Sequence, residues 1–99
     1  MSAVARIPAP EWQGWTSEVG AAILDVREPA EWDLGCLPGS TLISMGEIVE
    51  RHGELDEGRP VLVVCRTGSR SLMVANYLAA SGFEAANLEG GLKALGLQD

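Results

Sequence analysis

Cysteine, histidine and basic side chains are all scarce in this chain, and each shortage closes off a class of function. Two cysteines in 99 residues are too few for a disulfide framework, so a reducing cytoplasm is the expected compartment. A single histidine, His52, with no cysteine cluster beside it offers no metal-ligand set. Seven Lys and Arg stand against fourteen Asp and Glu, a formal net charge of −7. A chain this acidic is not expected to bind nucleic acid or an anionic membrane. No apolar run reaches the length of a membrane span. The stretch from Met1 to Pro8 has neither a basic leader nor a sustained apolar core, so no secretion signal is expected. Repeats, low-complexity segments and linkers are also lacking. The length suits one domain over residues 1–99, and 46% hydrophobic content suffices for one core. A monomer is the default expectation.

What is present is an alternation of short apolar runs with helical stretches. Ala21 to Val26 reads as a buried strand, and Glu28 to Trp32 as a helix start with Pro29 in its first turn. Leu37-Pro38-Gly39-Ser40 is a turn, and Thr41 to Ser44 a second short strand. Gly46 to His52 reads as a helix closed by Gly53, followed by an acidic loop over 55–60. Val61-Leu62-Val63-Val64 is β-branched, continuous and bounded by turn residues, the clearest strand of the chain. Ser71 to Ser81 has a broad apolar face at helical spacing, with Gly82 placed to stop it. Phe83 to Leu88 is a further strand, Gly90-Gly91 a turn, and 92–97 a short helix or irregular tail. Before Glu11 the chain is extended or edge-paired. The class is α/β with a mainly parallel sheet.

The chemistry concentrates in Cys65-Arg66-Thr67-Gly68-Ser69-Arg70, between the clearest strand and the longest helix. In open parallel sheets ligands bind beyond the carboxyl ends of the strands. A turn there aims several N–H groups and the positive end of a helix dipole at one point. A free thiol is only about 3% ionised at neutral pH. N–H donors and cationic neighbours raise that fraction. Gly68 permits a tight turn or close backbone approach. Ser69 is placed to bond a substrate oxygen or the thiolate, or to cap the helix. Arg66 and Arg70, two of only seven basic residues, form a local positive focus whose forks suit a tetrahedral oxyanion. In isolation, either arginine would read as a surface salt bridge.

The loop with Ser71 resembles the active-site loop of single-domain rhodanese-like sulfurtransferases. Ile23-Leu24-Asp25-Val26-Arg27-Glu28-Pro29-Ala30-Glu31-Trp32 is similar to that family's first signature. Gly35-Cys36-Leu37-Pro38-Gly39-Ser40 is similar to its Gly-His-Ile-Pro-Gly-Ala segment, and Asn87-Leu88-Glu89-Gly90-Gly91 to its C-terminal motif. These lie in the family's order and spacing from about residue 20 to residue 92. The resemblance implies a three-layer fold, with a small central sheet of four to five strands flanked by helices. It implies that Cys65 takes the outer sulfur of thiosulfate as a persulfide and passes it to cyanide or a thiol. Arg66, Thr67, Gly68, Ser69, Arg70 and Ser71 would bind the substrate. Asp25, late in the first strand, reads either as a support that orients the loop or as a structural strand-end residue. The partners implied are a small anionic sulfur donor and a thiol or protein acceptor, with no metal or organic cofactor.

Three departures stand out: Cys36 replaces the family's usual histidine, Leu92 stands where tryptophan is common, and Thr67 occupies a place that is cationic in some two-domain thiosulfate enzymes. Cys36 reads as structurally tolerated, with a resolving thiol as the sharper alternative. His52 reads as solvated. Arg27 and Glu28 read as a fold-fixing ion pair, and Trp12, Trp15 and Trp32 as packing residues. Two other functions compete. A cysteine phosphatase or arsenate reductase needs Cys, five residues, then Arg; here Ser71 holds that place and Arg70 comes one step early. A sulfur carrier or interaction module of the same fold would share the persulfide without free turnover.

Overall fold

Val61 to Val64 alternate their side chains across a strand, yet all four are buried. Only a central strand covered on both faces satisfies that pattern. The computed structural model, which describes residues 4–97, places this strand, β4 (Val61–Val64), third in a five-stranded sheet of order β1-β5-β4-β2-β3. The others are β1 (Ala5–Pro8), β2 (Ala22–Asp25), β3 (Thr41–Leu42) and β5 (Ala85–Glu89). Every pairing is parallel.

The helices are α1 (Trp12–Val19), α2 (Pro29–Trp32), α3 (Ile48–Arg51), α4 (Ser69–Ala80) and α5 (Gly91–Ala94). Val61, Val63 and Cys65 pack into one apolar layer with Val74, Ala75 and Leu78 of α4 and Ile48 of α3. Leu62 and Val64 point the other way, into a second layer with Leu88, Leu92 and the part-buried Trp12 and Trp15. The strand's period of two thus divides the core into the two outer layers of an α/β sandwich.

The open question at the N-terminus resolves as edge pairing: β1 runs beside β5, with Ile7 opposite Leu88. Helix α1 has no counterpart in the sequence reading. Its N-cap Glu11 makes no side-chain cap bond, and Gly14 lies inside it, so the usual start and propensity signals are weak. Tertiary packing of Trp12 and Trp15 supplies what propensity does not. The helix expected over 46–52 is broken into a 3-10 turn (Met45–Glu47), α3 and a second 3-10 turn (His52–Glu54). The strand expected over 41–44 pairs only at Thr41 and Leu42. Helix α4 begins two residues earlier than expected because Gly68, at φ +102°, turns the chain straight into it. Its end is as read. Phe83 N–H donates to the Leu78 carbonyl and Gly82 N–H to that of Ala79, the paired bonds of a Schellman stop.

His52 corrects a further expectation. Its ring is half-buried rather than fully solvated: it lies edge-on to Tyr77 and Phe83, with Nδ1 near the carbonyls of Ile48 and Val49.

Candidate active site

Cys65 follows β4 directly, and α4 starts four residues later, so the intervening turn folds over the sulfur. Gly68 N–H donates to Sγ at 3.0 Å, Ser71 N–H at 3.3 Å, and the Ser71 hydroxyl also lies at 3.3 Å. Burial pushes the Cys65 thiol up. The Ser71 hydroxyl and N–H, then the N–H groups of Gly68 and Thr67, outweigh that and hold it below its ordinary value. The sulfur is covered: Cys65 is 1% exposed. The sulfur nevertheless faces donors, while Thr67 and Ser69 stand exposed on the crest of the turn.

Ser69 neither caps α4 nor bonds the sulfur; its hydroxyl lies 3.4 Å from that of Thr67, and Gly68 holds the N-cap position. Arg66 is half-buried beside Cys65 in the chain. Arg70 corrects the expectation of two arginines waiting for an anion. Its Nη1 and Nη2 donate to both carboxylate oxygens of Glu31 at 2.7 and 2.9 Å. Those bonds hold the Glu31 carboxyl at about 2, well below the usual carboxylate range. Glu31 also accepts from Glu28 N–H, in a capping box that starts α2. One carboxylate therefore ties the first turn of α4 to α2 and offsets much of the loop's positive charge.

Asp25 does not reach the loop either. Both its oxygens are closed by Arg27, whose Nε and Nη2 donate at 2.8 to 3.1 Å, and both residues are 0% exposed. The expected Arg27–Glu28 pair is thus an Asp25–Arg27 pair, because Glu28 is spent on capping α2. Burial pulls the Arg27 guanidinium down, but the bonds and charge of Asp25 more than offset this and hold it above its ordinary value. Arg27 also donates to the carbonyls of Glu31 and Gly35, so it fixes the chain on either side of α2. Cys36 sits in this cluster, its Sγ 3.8 Å from Arg27 Nη2 and 3.6 Å from the Trp32 carbonyl. Burial, then Asp25, push its thiol up. Both cysteines are free.

Two supports of the loop have no counterpart in the sequence reading. Asn87 of β5 is buried and bonds to Ser71 and Gly68. A polar residue among Ala85, Ala86 and Leu88 in a strand buried from Ala85 to Leu88 was the signal that could have revealed it. The second is the start of α5, where Leu92 N–H donates to the Cys65 carbonyl and Lys93 N–H to that of Arg66, both at 2.9 Å. Gly91 makes this approach feasible, since a Cβ there would meet the Arg66 carbonyl oxygen at 2.3 Å. Among the described residues no cluster of His, Cys, Asp and Glu could hold a metal ion, and no helix is long and apolar enough to cross a membrane.

Comparison with known proteins agrees with this geometry. The rhodanese-like domain family matches residues 9–97. YtwF of Bacillus subtilis is 40% identical over 72 residues, 73% of this chain and 70% of its own. The thiosulfate sulfurtransferase GlpE of Pseudomonas syringae pv. syringae is 33% identical over 94 residues, 94% of this chain and 88% of its own. The crystal structure of a rhodanese-like domain protein from Staphylococcus aureus superposes with a TM-score of 0.84 at 33% identity, covering 92% of this chain and 90% of that one. The strand order, the amide-ringed cysteine and the extent of these matches agree: the chain belongs to the rhodanese-like domain family.

Proposed function

We propose that this chain is a sulfurtransferase that carries sulfane sulfur on Cys65. The carrying observation is the Cys65 sulfur at the end of β4 with two backbone amides and a hydroxyl aimed at it. Such donors stabilise a thiolate, and they would equally hold the outer sulfur of a persulfide. The name of the GlpE relative supports thiosulfate as a donor. In the first half-reaction the thiolate attacks the outer sulfur of thiosulfate. A new S–S bond forms, the bond to the sulfonate sulfur breaks, and its electron pair leaves with sulfite. In the second, an acceptor thiolate attacks the outer sulfur of the persulfide, and the Cys65 thiolate is restored as leaving group. No step requires a metal or cofactor. Since the sulfur is covered, the donor enters past the exposed crest at Thr67 and Ser69, which must yield to admit it.

The paired state of Arg70 bears on donor choice. With its fork held by Glu31, the loop attracts a dianion less strongly than two free arginines would. Glu31→Gln keeps a residue suited to the capping box while releasing the charge. It is expected to lower KM for thiosulfate by about threefold to tenfold, with kcat little changed. Steady-state kinetics with thiosulfate and cyanide measure this, and an unchanged or raised KM would show that Arg70 does not meet the donor.

The reading as a whole is tested by mass spectrometry of the protein after exposure to thiosulfate and to low-molecular-weight persulfides. Cys65 should become heavier by one sulfur atom and revert on adding a thiol. No adduct from any donor would refute the proposal. Loading followed by transfer to a protein acceptor but to no small thiol would make the chain a carrier. Efficient phosphate release from aryl phosphates would instead favour the phosphatase reading, against which Ser71 stands in the place of the required arginine.

A further inference from the structure

We propose that Asn87 is a positioning residue for Cys65, competing with the sulfur for the proton of the Ser71 hydroxyl while it anchors the Gly68 carbonyl. The proposal rests on Cys65 as the reacting group, and it concerns a residue on β5, the strand beside the one that feeds the loop.

The argument is one of donors and acceptors. Asn87 is 1% exposed, and a buried amide is costly unless its hydrogen bonds are made. Both of its N–H groups and its oxygen have partners here. Nδ2 donates to the Gly68 carbonyl at 3.2 Å and to the Glu89 carboxylate at 2.7 Å, and Oδ1 faces the Ser71 hydroxyl at 2.5 Å. The first two partners are acceptors only, so chemistry fixes which end of the amide is which. A flipped amide would set its oxygen against a carbonyl and a carboxylate at once. Oδ1 must therefore face Ser71, and as an acceptor it can only receive.

Ser71 has one hydroxyl proton and two claimants, Asn87 Oδ1 and Cys65 Sγ, the latter 3.3 Å away. While Cys65 is a neutral thiol the proton can rest on Asn87, and a Ser71 lone pair can take the S–H. Once Cys65 ionises, the hydroxyl must turn to the sulfur and leave Oδ1 without a donor. Ionisation is thus opposed by the bond given up at Asn87. The same amide holds the Gly68 peptide, whose N–H is another donor to the sulfur. Gly68 permits the approach: a Cβ there would lie 3.3 Å from the Leu88 carbonyl and 3.7 Å from Asn87 Nδ2. Charged residues on the surrounding elements include Arg66 in the loop, Arg70 on α4 paired with Glu31, Asp25 on β2 closed by Arg27, Glu89 on β5 and the exposed Lys93 on α5.

The two possible roles of Asn87 differ in sign. A residue that merely braces the loop would, when lost, misplace the N–H donors and raise the pH at which Cys65 ionises. A residue that competes for the Ser71 proton would, when lost, release that proton to the thiolate and lower it. The experiment uses the Cys36→Ser protein, so that one thiol reports. The ionisation midpoint is read from the pH dependence of iodoacetamide alkylation and of thiolate ultraviolet absorbance. Asn87→Val, whose branched shape suits a strand, is expected to move the midpoint down by about one pH unit, the order of one hydrogen bond to a charged group. In the Ser71→Ala background the downward shift is expected to vanish, leaving at most a small rise from the lost anchor at Gly68. Asn87→Ala gives the same comparison if valine is not accommodated. Glu89→Ala, at a half-exposed side chain, is expected to shift the midpoint down by less. An upward shift in both backgrounds, or no shift in either, would overturn the proposal. Alkylation needs only a thiol, so the result stands or falls separately from sulfur transfer.

Discussion

Cys65→Ser is expected to reduce sulfur transfer to the uncatalysed background while the domain still folds. The exchange keeps the shape of the side chain and the donors around it. Gly68 N–H and the Ser71 groups that reach the sulfur can bond an oxygen as well, so the cost in stability is expected to stay within about 1 kcal/mol. The chemistry is another matter. A serine hydroxyl is not ionised by donors that suffice for a thiol, and oxygen cannot hold a sulfane sulfur in an exchangeable S–S bond. Thiosulfate:cyanide turnover and denaturant unfolding on the same preparation separate the two effects. Near-wild-type turnover would mean that another group is the nucleophile. Loss of the cooperative transition would mean that Cys65 is chiefly a core residue.

The largest stability effect is expected from breaking the Asp25–Arg27 pair on one side only. Asp25→Ala leaves the buried guanidinium without its carboxylate, and removing one member of a buried pair typically costs about 3–5 kcal/mol. A domain of this size has about 5–15 kcal/mol in total, so much of the population would lie near its unfolding transition. Replacing both, Asp25→Leu with Arg27→Met, removes the unpaired charge together with its partner and is expected to recover much of the loss. Urea unfolding of the single and double variants measures this. The damage should extend to the loop. Arg27 holds the Glu31 carbonyl, and Glu31 holds Arg70, so the single variant should also lose activity at urea concentrations where it remains folded. A single variant as stable as the wild type would show that the pair adds nothing.

What was legible in the sequence was whatever a local run of residues determines. Val61 to Val64 announced a strand, Gly82 a helix stop, and the cysteine loop its place between strand and helix. What was hidden depends on residues far apart in the chain. The capture of Arg70 by Glu31 spans 39 positions, and no spacing rule links them. The support of the loop by Asn87 and α5 requires knowing that β5 lies beside β4. The Asp25–Arg27 pair is local, but choosing Asp25 over the adjacent Glu28 needed the capping role of Glu28 to be seen first. Helix α1 was missed because its stability lies in two tryptophans meeting the sheet rather than in its own caps.

The amides that hold the carbonyls of Cys65 and Arg66 come from Leu92 and Lys93, and the edge strand β1 waits for β5. During synthesis from the N-terminus, everything up to α4 can emerge while the thiol turn still lacks its clasp. Strand β5, through Asn87, and the first turn of α5 must therefore both be in place before the turn that carries Cys65 has every bond that holds it.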